Sequence, residues 1–195
     1  PADFGYTKAV NIEIAAGAFK DAANNNYGGI TTATTWNFTT ENAPSGSSSL
    51  VAYGASWKYL DNGSNQGTAW RATVFDDVSW ASGNGQLGYG DGDEATLVGY
   101  GPSSTTKYIT TYFRKAISIT DPAAFPSYSG TVKRDDGIVL YVNGSEVYRN
   151  NMPTGTIANT TLASTAASDD GNTAQAFSIP SSAFVSGNNV LAVEM

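Results

Sequence analysis

The stretch that decides the fold runs from Lys133 to Tyr148 and has the sequence KRDDGIVLYVNGSEVY. Two segments rich in β-branched and aromatic residues, 138–142 and 146–148, flank the turn pair Asn143-Gly144, which tolerates positive φ. This pattern predicts a β-hairpin. Asp135 and Asp136 come just before the first strand and place two carboxylates at its entrance.

The composition favours an all-β protein and disfavours several classes of partner. Of the 195 residues, 41% are hydrophobic and only 14% are charged, while Tyr and Gly are plentiful. A net charge of −7 disfavours nucleic acid and anionic membranes. Because no apolar run approaches the ~20 residues that span a bilayer, no membrane insertion is expected.

The absence of His and Cys removes further kinds of chemistry. It excludes a disulfide framework, a cysteine-ligated zinc site and the usual histidine base. Carboxylates remain as ligands for oxygen-preferring cations, of which Ca²⁺ is abundant outside cells.

Period-two alternation and turn residues predict strands along the whole chain. In the first of them, Val10, Ile12 and Ile14 share one half-buried face. No segment shows a convincing helical period. The predicted strands are 8–15, 34–40, 56–60, 107–119, 138–142, 146–148, 174–179 and 189–194, and the small polar residues of 43–50 predict a linker.

Two segments lie before this linker, IAAGAFKDAANNNY at 14–27 and TWNFTT at 35–40. Together they resemble the last strands of a bacterial Ig-like domain. The resemblance implies that residues 1–42 belong to an incomplete domain. Its missing part, or a neighbouring domain or chain, is expected to cover these strands, since a two-stranded unit is marginal in water.

The remainder, 51–195, contains an ordered set of segments: WKYLDNG at 57–63, FDDVSW at 75–80, LGYG at 87–90, YFR at 112–114, DDG at 135–137 and GNNVLAVE at 187–194. Together they resemble the galactose-binding-like jelly rolls appended to secreted bacterial hydrolases and surface proteins. The resemblance implies an all-β jelly-roll β-sandwich that is cut at its last strand, in an extracellular or cell-surface protein of several domains.

Acidic loops hold the candidate metal ligands. Asp91, Asp93 and Glu94 form the densest acidic group, on a glycine-rich loop that can bring carboxylates onto one Ca²⁺ ion. An ordinary solvated loop is the alternative. Asp135 and Asp136 are the other candidate calcium pair, and they can also accept hydrogen bonds from sugar hydroxyls.

A structural role is the alternative for this second pair. In that case Asp135 caps the turn, and Asp136 pairs with Arg134 or Arg149. Asp76 and Asp77, which come just before Ser79 and Trp80, are expected to be structural, with side chains that bond to nearby amides.

Tyr89 and Tyr100 are the candidate sugar platforms, because each lies between two glycines in a loop where exposure is expected. An exposed aromatic ring stacks on the C–H face of a pyranose, while polar groups contact the hydroxyls. Trp57 and Trp80 are expected in the core. Asn143, at the hairpin turn, is a further candidate ligand contact.

These features predict a non-catalytic carbohydrate-binding or adhesion module, stabilised by structural calcium, whose partner is a glycan or polysaccharide. It would serve as an accessory module of a larger protein. The alternative is a structural spacer without a glycan ligand. Asp91 with Asp135 would suit glycoside hydrolysis, but no other feature suggests a catalytic pocket. A binder should expose aromatic loops beside Asp135 or Asp91, and a spacer should bury them.

Overall fold

Residues 4–5, 7–40 and 49–195 are described by the computed structural model, and their regular structure consists of β-strands and three single-turn 3₁₀-helices. The predicted all-β class is confirmed. The chain divides into two compact units, residues 1–48 and 49–195. The predicted linker at 43–50 lies mainly outside the described residues, and the finer domain boundaries stay predictions. No helix in the described ranges is long and apolar enough to cross a membrane.

In the first unit, one antiparallel ladder joins the two predicted strands as β1 (Ala9–Asn11) and β2 (Asn37–Thr39). Val10, Ile12 and Ile14 are half-buried and their neighbours are exposed, as the alternation predicts. Within 4–5 and 7–40, no residue is fully enclosed. The described part of this unit therefore has no closed core, and its Ig-like identity stays a prediction.

The second unit contains ten strands in three sheets. Six strands form the main antiparallel sheet in the order β10-β9-β12-β7-β3-β4, β8 pairs with β11, and β5 pairs in parallel with β6. The strands are β3 (Ser56–Leu60), β4 (Ala81–Asn84), β5 (Leu87–Gly88), β6 (Thr96–Leu97), β7 (Tyr112–Ile119), β8 (Ser127–Val132), β9 (Ile138–Val142), β10 (Ser145–Asn150), β11 (Gln175–Pro180) and β12 (Gly187–Glu194).

The hairpin predicted at 138–148 is confirmed as β9 and β10. Asn143 and Gly144 adopt φ values of 51° and 90°, and positive φ at both central residues matches the twist of the flanking strands. Ser145 pairs with Val142 directly across this turn. Every residue of β9 is buried, because the strand lies between β10 and β12 and both of its faces are covered.

Alternate residues of the main sheet enter two hydrophobic clusters on its opposite faces. Leu140 belongs to one cluster together with Ile179 of β11. Val139, its neighbour in sequence, belongs to the other together with Trp70 and Trp80. The unit is therefore a β-sandwich in which the β8–β11 pair covers one face of the main sheet. Its specific jelly-roll topology stays a prediction.

Two structural predictions for this unit are confirmed. Trp80 is buried, and Trp57 packs half-buried against the first cluster. Asp77 accepts a hydrogen bond from the Arg114 guanidinium at 2.7 Å, and Asp76 accepts one from the Val78 amide at 3.0 Å. These contacts hold the 76–80 segment.

Candidate functional site

Tyr89 and Tyr100 meet because their loops leave the same end of two paired strands. Gly88 at the end of β5 lies beside Leu97 at the end of β6 in a parallel register, so both chains exit in the same direction. The two rings lie 5.2 Å apart between centroids and are tilted by 53°. Tyr100 is 42% exposed, whereas Tyr89 is half-buried. Tyr100 is therefore the accessible ring of the pair.

A lysine completes this aromatic surface. The Lys107 ammonium lies 4.7 Å from the centroid of the Tyr89 ring, a cation–π contact. The next residue, Tyr108, donates its amide to the Tyr100 carbonyl at 2.8 Å, which fixes this segment against the Tyr100 loop. We call Tyr89, Tyr100 and Lys107 the tyrosine patch. It offers an apolar ring face together with cationic hydrogen-bond donors.

The loop after Tyr89 carries the first acidic group. Asp91, Asp93 and Glu94 each present a carboxylate oxygen within 4.8 Å of the others. Glu94 accepts hydrogen bonds from the Asp91 and Gly92 amides at 2.9 Å each. These backbone hydrogen bonds, that of Asp91 foremost, lower the pKa of Glu94. Glu94 therefore stabilises the backbone conformation of this loop, whereas Asp91 is exposed.

The structure brings the second acidic pair to the same place. Desolvation raises the pKa of Asp91, and the charge of Asp170 raises it further. Desolvation, then the hydrogen bond with Asp136 and the charges of Asp136, Asp170 and Asp91, raise the pKa of Asp135 to about 6. Carboxylates that are distant in sequence therefore repel one another at a single location.

Close backbone packing holds these loops together. Gly171 has φ +70°, and a Cβ atom at this position would lie 2.9 Å from the Asp135 Cβ. The loop that carries Asp170 can approach Asp135 only because residue 171 is glycine. Asp136 anchors the next turn of that loop by accepting a hydrogen bond from the Ala167 amide at 2.7 Å.

We call Asp91, Asp93, Glu94, Asp135, Asp136 and Asp170 the acidic cluster. Carboxylates held together against their own repulsion suit a hard cation, which takes six to eight oxygen ligands when it is Ca²⁺. Among the described residues, only Asp91, Asp93 and Glu94 place three carboxylate oxygens within 4.8 Å of one another; the other three members match such an ion by donor type. A bound cation would also remove the repulsion that raises the pKa of Asp135.

The ion pair predicted between Asp136 and Arg134 or Arg149, as the structural alternative to a ligand role, is wrong. Arg149 pairs with Glu146 at 2.7 Å, and Arg134 forms no ion pair with any described residue. The Asp136 carboxylate instead accepts a hydrogen bond from the backbone amide of Ala167. Its ligand role, like that of Asp135, stays a prediction.

The side chain of Asn143 is engaged inside the fold. It donates to the Asn189 carboxamide oxygen at 2.7 Å and accepts from the Val190 amide at 2.9 Å. These bonds tie the β9–β10 turn to β12. A ligand contact at Asn143 stays a prediction.

Sequence reasoning missed Lys107 and Asp170. Nothing in the local sequence around Lys107 distinguishes it, because its position over Tyr89 arises from the tertiary fold. Asp170 did carry a signal, since Asp169-Asp170-Gly171 repeats the Asp-Asp-Gly of 135–137. Two such segments in one chain indicate two carboxylate-bearing turns.

Glu194, whose role the sequence left open, belongs to the interior. It is 3% exposed, and its carboxylate accepts hydrogen bonds from Arg71, at 2.9 Å, and from the Tyr141 hydroxyl. Burial raises the pKa of Glu194. Through Tyr141 this ion pair adjoins the second hydrophobic cluster. None of its residues belongs to the acidic cluster.

Comparisons with known proteins show only distant likeness. No protein-family model and no curated protein matches the sequence. The chain is similar to a β-glucuronidase from glycoside hydrolase family 2 at 16% identity and a TM-score of 0.44, with 73% of this chain and 13% of that chain covered. It is also similar to a calcium-binding mutant of Bacteroides uniformis β-glucuronidase 2 at 19% identity and a TM-score of 0.45, with 71% and 14% covered.

A third similar structure is a β-glycosidase from Bacteroides vulgatus, at 13% identity and a TM-score of 0.42, with 74% of this chain and 16% of that chain covered. The chain thus spans less than a fifth of each of these three proteins. Scores of this size carry no argument about function. The function is therefore argued from the residues of this chain.

Proposed function

We propose that this chain is a non-catalytic carbohydrate-binding module whose binding loops are held by a calcium ion in the acidic cluster. The observation that carries the proposal is the tyrosine patch beside the acidic cluster, since Tyr89 and Asp91 lie on one loop. Tyr100 presents its ring to stack on a pyranose face. Lys107 and the carboxylates supply donors and acceptors for the hydroxyls.

Calcium is proposed because it would neutralise carboxylates that the packed loops bring near one another. Asp91, Asp135 and Asp170 come from three different segments, and their charges repel one another. A cation bound between them joins the loop of Tyr89 to the loops at 135 and 170. The module would act by proximity, holding a larger bacterial extracellular or cell-surface protein against a polysaccharide.

One observation favours the alternative role as a spacer between protein domains. The first unit exposes several large aromatic side chains, which a neighbouring protein surface could cover. They are Phe4 at 65%, Phe19 at 62%, Trp36 at 50% and Phe38 at 43% exposure. These residues lie in the first unit, whereas the tyrosine patch lies in the second, so the two roles are tested separately.

The proposal is tested by retention of the chain on a panel of insoluble and gel-embedded polysaccharides, with calcium and then with a chelator. We expect calcium-dependent retention on at least one glycan class. Tyr100→Ala should weaken it about two- to tenfold, because one aromatic contact is worth about 0.5–1.5 kcal/mol. Asp91→Asn should weaken retention in calcium and leave the residual binding in chelator unchanged.

Two matched variants serve as controls. Tyr27→Ala is the control for Tyr100→Ala, because Tyr27 is 43% exposed, like Tyr100, but lies in the first unit. Glu13→Gln removes one exposed negative charge in that same unit. Neither change should alter retention. A well-folded protein that no glycan on the panel retains would contradict the proposal and favour the spacer.

A further inference from the structure

A polar cleft is lined by residues that adjoin the acidic cluster in sequence, Arg134 beside Asp135 and Asp169 beside Asp170. Its volume is about 290 Å³, and its lining includes Arg134, Asn151, Thr165, Ser168, Asp169 and Gln175. This volume is at the lower end of the ~300–1,000 Å³ typical of small-ligand pockets, which suits one sugar ring. None of these residues belongs to the tyrosine patch.

The wall of the cleft is fixed by hydrogen bonds within the protein. Asn151 donates to the Thr165 carbonyl at 2.6 Å and to the Asp136 carbonyl at 3.1 Å, and it accepts from the Thr165 hydroxyl at 2.9 Å. Both polar groups of the Asn151 side chain are thereby used. The cleft is thus preorganised, and a ligand need not order this loop on binding.

Arg134 is the unpaired cation of the cleft. Arg71, Arg114 and Arg149 each form an ion pair. Arg134 donates only its Nε–H, to Asn150 at 2.6 Å. Within the part of the chain that the structure describes, its terminal nitrogens have no protein acceptor. They therefore present a planar set of donors to the cleft.

Asp169 supplies the complementary acceptor. Its Oδ2 atom accepts from the Thr173 amide at 2.6 Å, and hydrogen bonds to Thr173 foremost lower its pKa, with a smaller contribution from the charge of Arg134. Arg134 and Asp169 line the same cleft without forming an ion pair.

The geometry points to a second sugar-binding subsite, in which Arg134 and Asp169 hold two adjacent hydroxyl groups of a neutral pyranose. Each hydroxyl of such a pair can accept from the guanidinium and donate to the carboxylate. This inference rests on the proposed carbohydrate-binding function and adds a site to it. The tyrosine patch would contact the apolar face of one sugar unit, and the cleft would contact the hydroxyl edge of another.

The surrounding charge selects a neutral ligand. The six residues of the acidic cluster carry six formal negative charges, and a divalent cation among them leaves four. Arg134 and Asp169 cancel one another. A ligand with its own carboxylate would therefore meet net repulsion within a Debye length of about 8 Å at physiological salt.

The test is an NMR titration of the full 195-residue chain in calcium, with methyl pyranosides of glucose, galactose and mannose and with the corresponding uronates. We expect amide shifts at 134 and 165–175 with at least one neutral glycoside. Arg134→Gln and Asp169→Asn should each weaken that binding about tenfold or more, because hydrogen bonds to charged groups are worth about 1.5–3 kcal/mol. Lys133→Gln, an equal charge change on an exposed neighbour, should leave it unchanged.

Three results would overturn the inference. Shifts confined to the tyrosine patch would reject the cleft and leave the proposed function standing. No shifts with any glycoside would also reject the cleft, while polysaccharide retention would still support the proposed function. Tighter binding of a uronate than of its neutral counterpart would reject the assignment of a neutral ligand. Amide spectra of the variants establish that each is folded.

Discussion

Asp135 shows how much the neighbours of one side chain determine its chemistry. Taken alone, it is an ordinary carboxyl beside a turn. In the fold it faces Asp136, Asp170 and Asp91, and desolvation together with these groups raises its pKa to about 6. A carboxyl in this state binds either a proton or a cation, and both relieve the same repulsion.

Stability in the absence of calcium should therefore depend on pH through Asp135. Its pKa is about 6 in the folded protein and 3.8 for an unperturbed aspartate, so the folded state holds the extra proton between these two pH values. The resulting stabilisation is complete below pH 3.8 and is lost as the pH rises through about 6. Urea unfolding in chelator should give a higher midpoint at pH 5 than at pH 7.

The comparison with Asp135→Asn isolates this contribution. The variant should lose the part of the pH dependence between 5 and 7, since its side chain does not titrate. Carboxyls whose pKa is lowered, such as Asp21 and Asp169, act in the opposite direction and at lower pH. An identical pH dependence in both proteins would contradict the assignment.

Among the elements, β12 depends on a buried amide at its start. Asn189 is 0% exposed. It donates to the Val185 carbonyl at 2.8 Å and accepts from the Asn143 carboxamide at 2.7 Å. The same side chain thus shapes the entry to β12 and holds the β9–β10 turn.

Replacing Asn189 should therefore cost far more than replacing its neighbour. Asn189→Ala leaves several buried polar groups unpaired, so we expect it to lower the free energy of unfolding by about 2 kcal/mol or more. Asn188 is exposed on the same strand, and Asn188→Ala should stay within about 0.5 kcal/mol. Chemical denaturation measures both, and equal effects would contradict the role given to Asn189.

The strands also show which structural features can be predicted from local sequence. The β9–β10 hairpin was predictable because Asn143-Gly144 and the flanking β-branched residues act locally. The strand predicted over 107–119 is shorter, since β7 begins at Tyr112. Tyr108 instead donates its amide to Tyr100, a long-range bond that no local pattern reveals.

At the scale of the whole chain, the two units differ in how well each can bury its own apolar surface. The second unit has two enclosed clusters around its main sheet. The described residues of the first have none. An isolated two-stranded ladder is marginally stable in water.

Expressed separately, residues 49–195 should unfold in one cooperative transition, and residues 1–48 should show none. Thermal unfolding followed by circular dichroism measures both fragments. Amide exchange adds a second observable, with slow exchange expected in β7, β9 and β12 and fast exchange throughout the first fragment. A cooperative transition of residues 1–48 alone would show that this segment holds a core of its own.

The sequence by itself determined the strand-forming segments, the hairpin turn, the aromatic core positions and the chemical types available for a site. These properties follow from alternation, backbone preference and composition, which act over a few residues. Only the tertiary structure decided that Asp91, Asp135 and Asp170 lie near one another, that Lys107 lies over Tyr89, and that Arg134 and Asp169 line one cleft. Such meetings depend on which strands pair and on which loops share an edge of the sandwich, and both are set by burial across the whole unit.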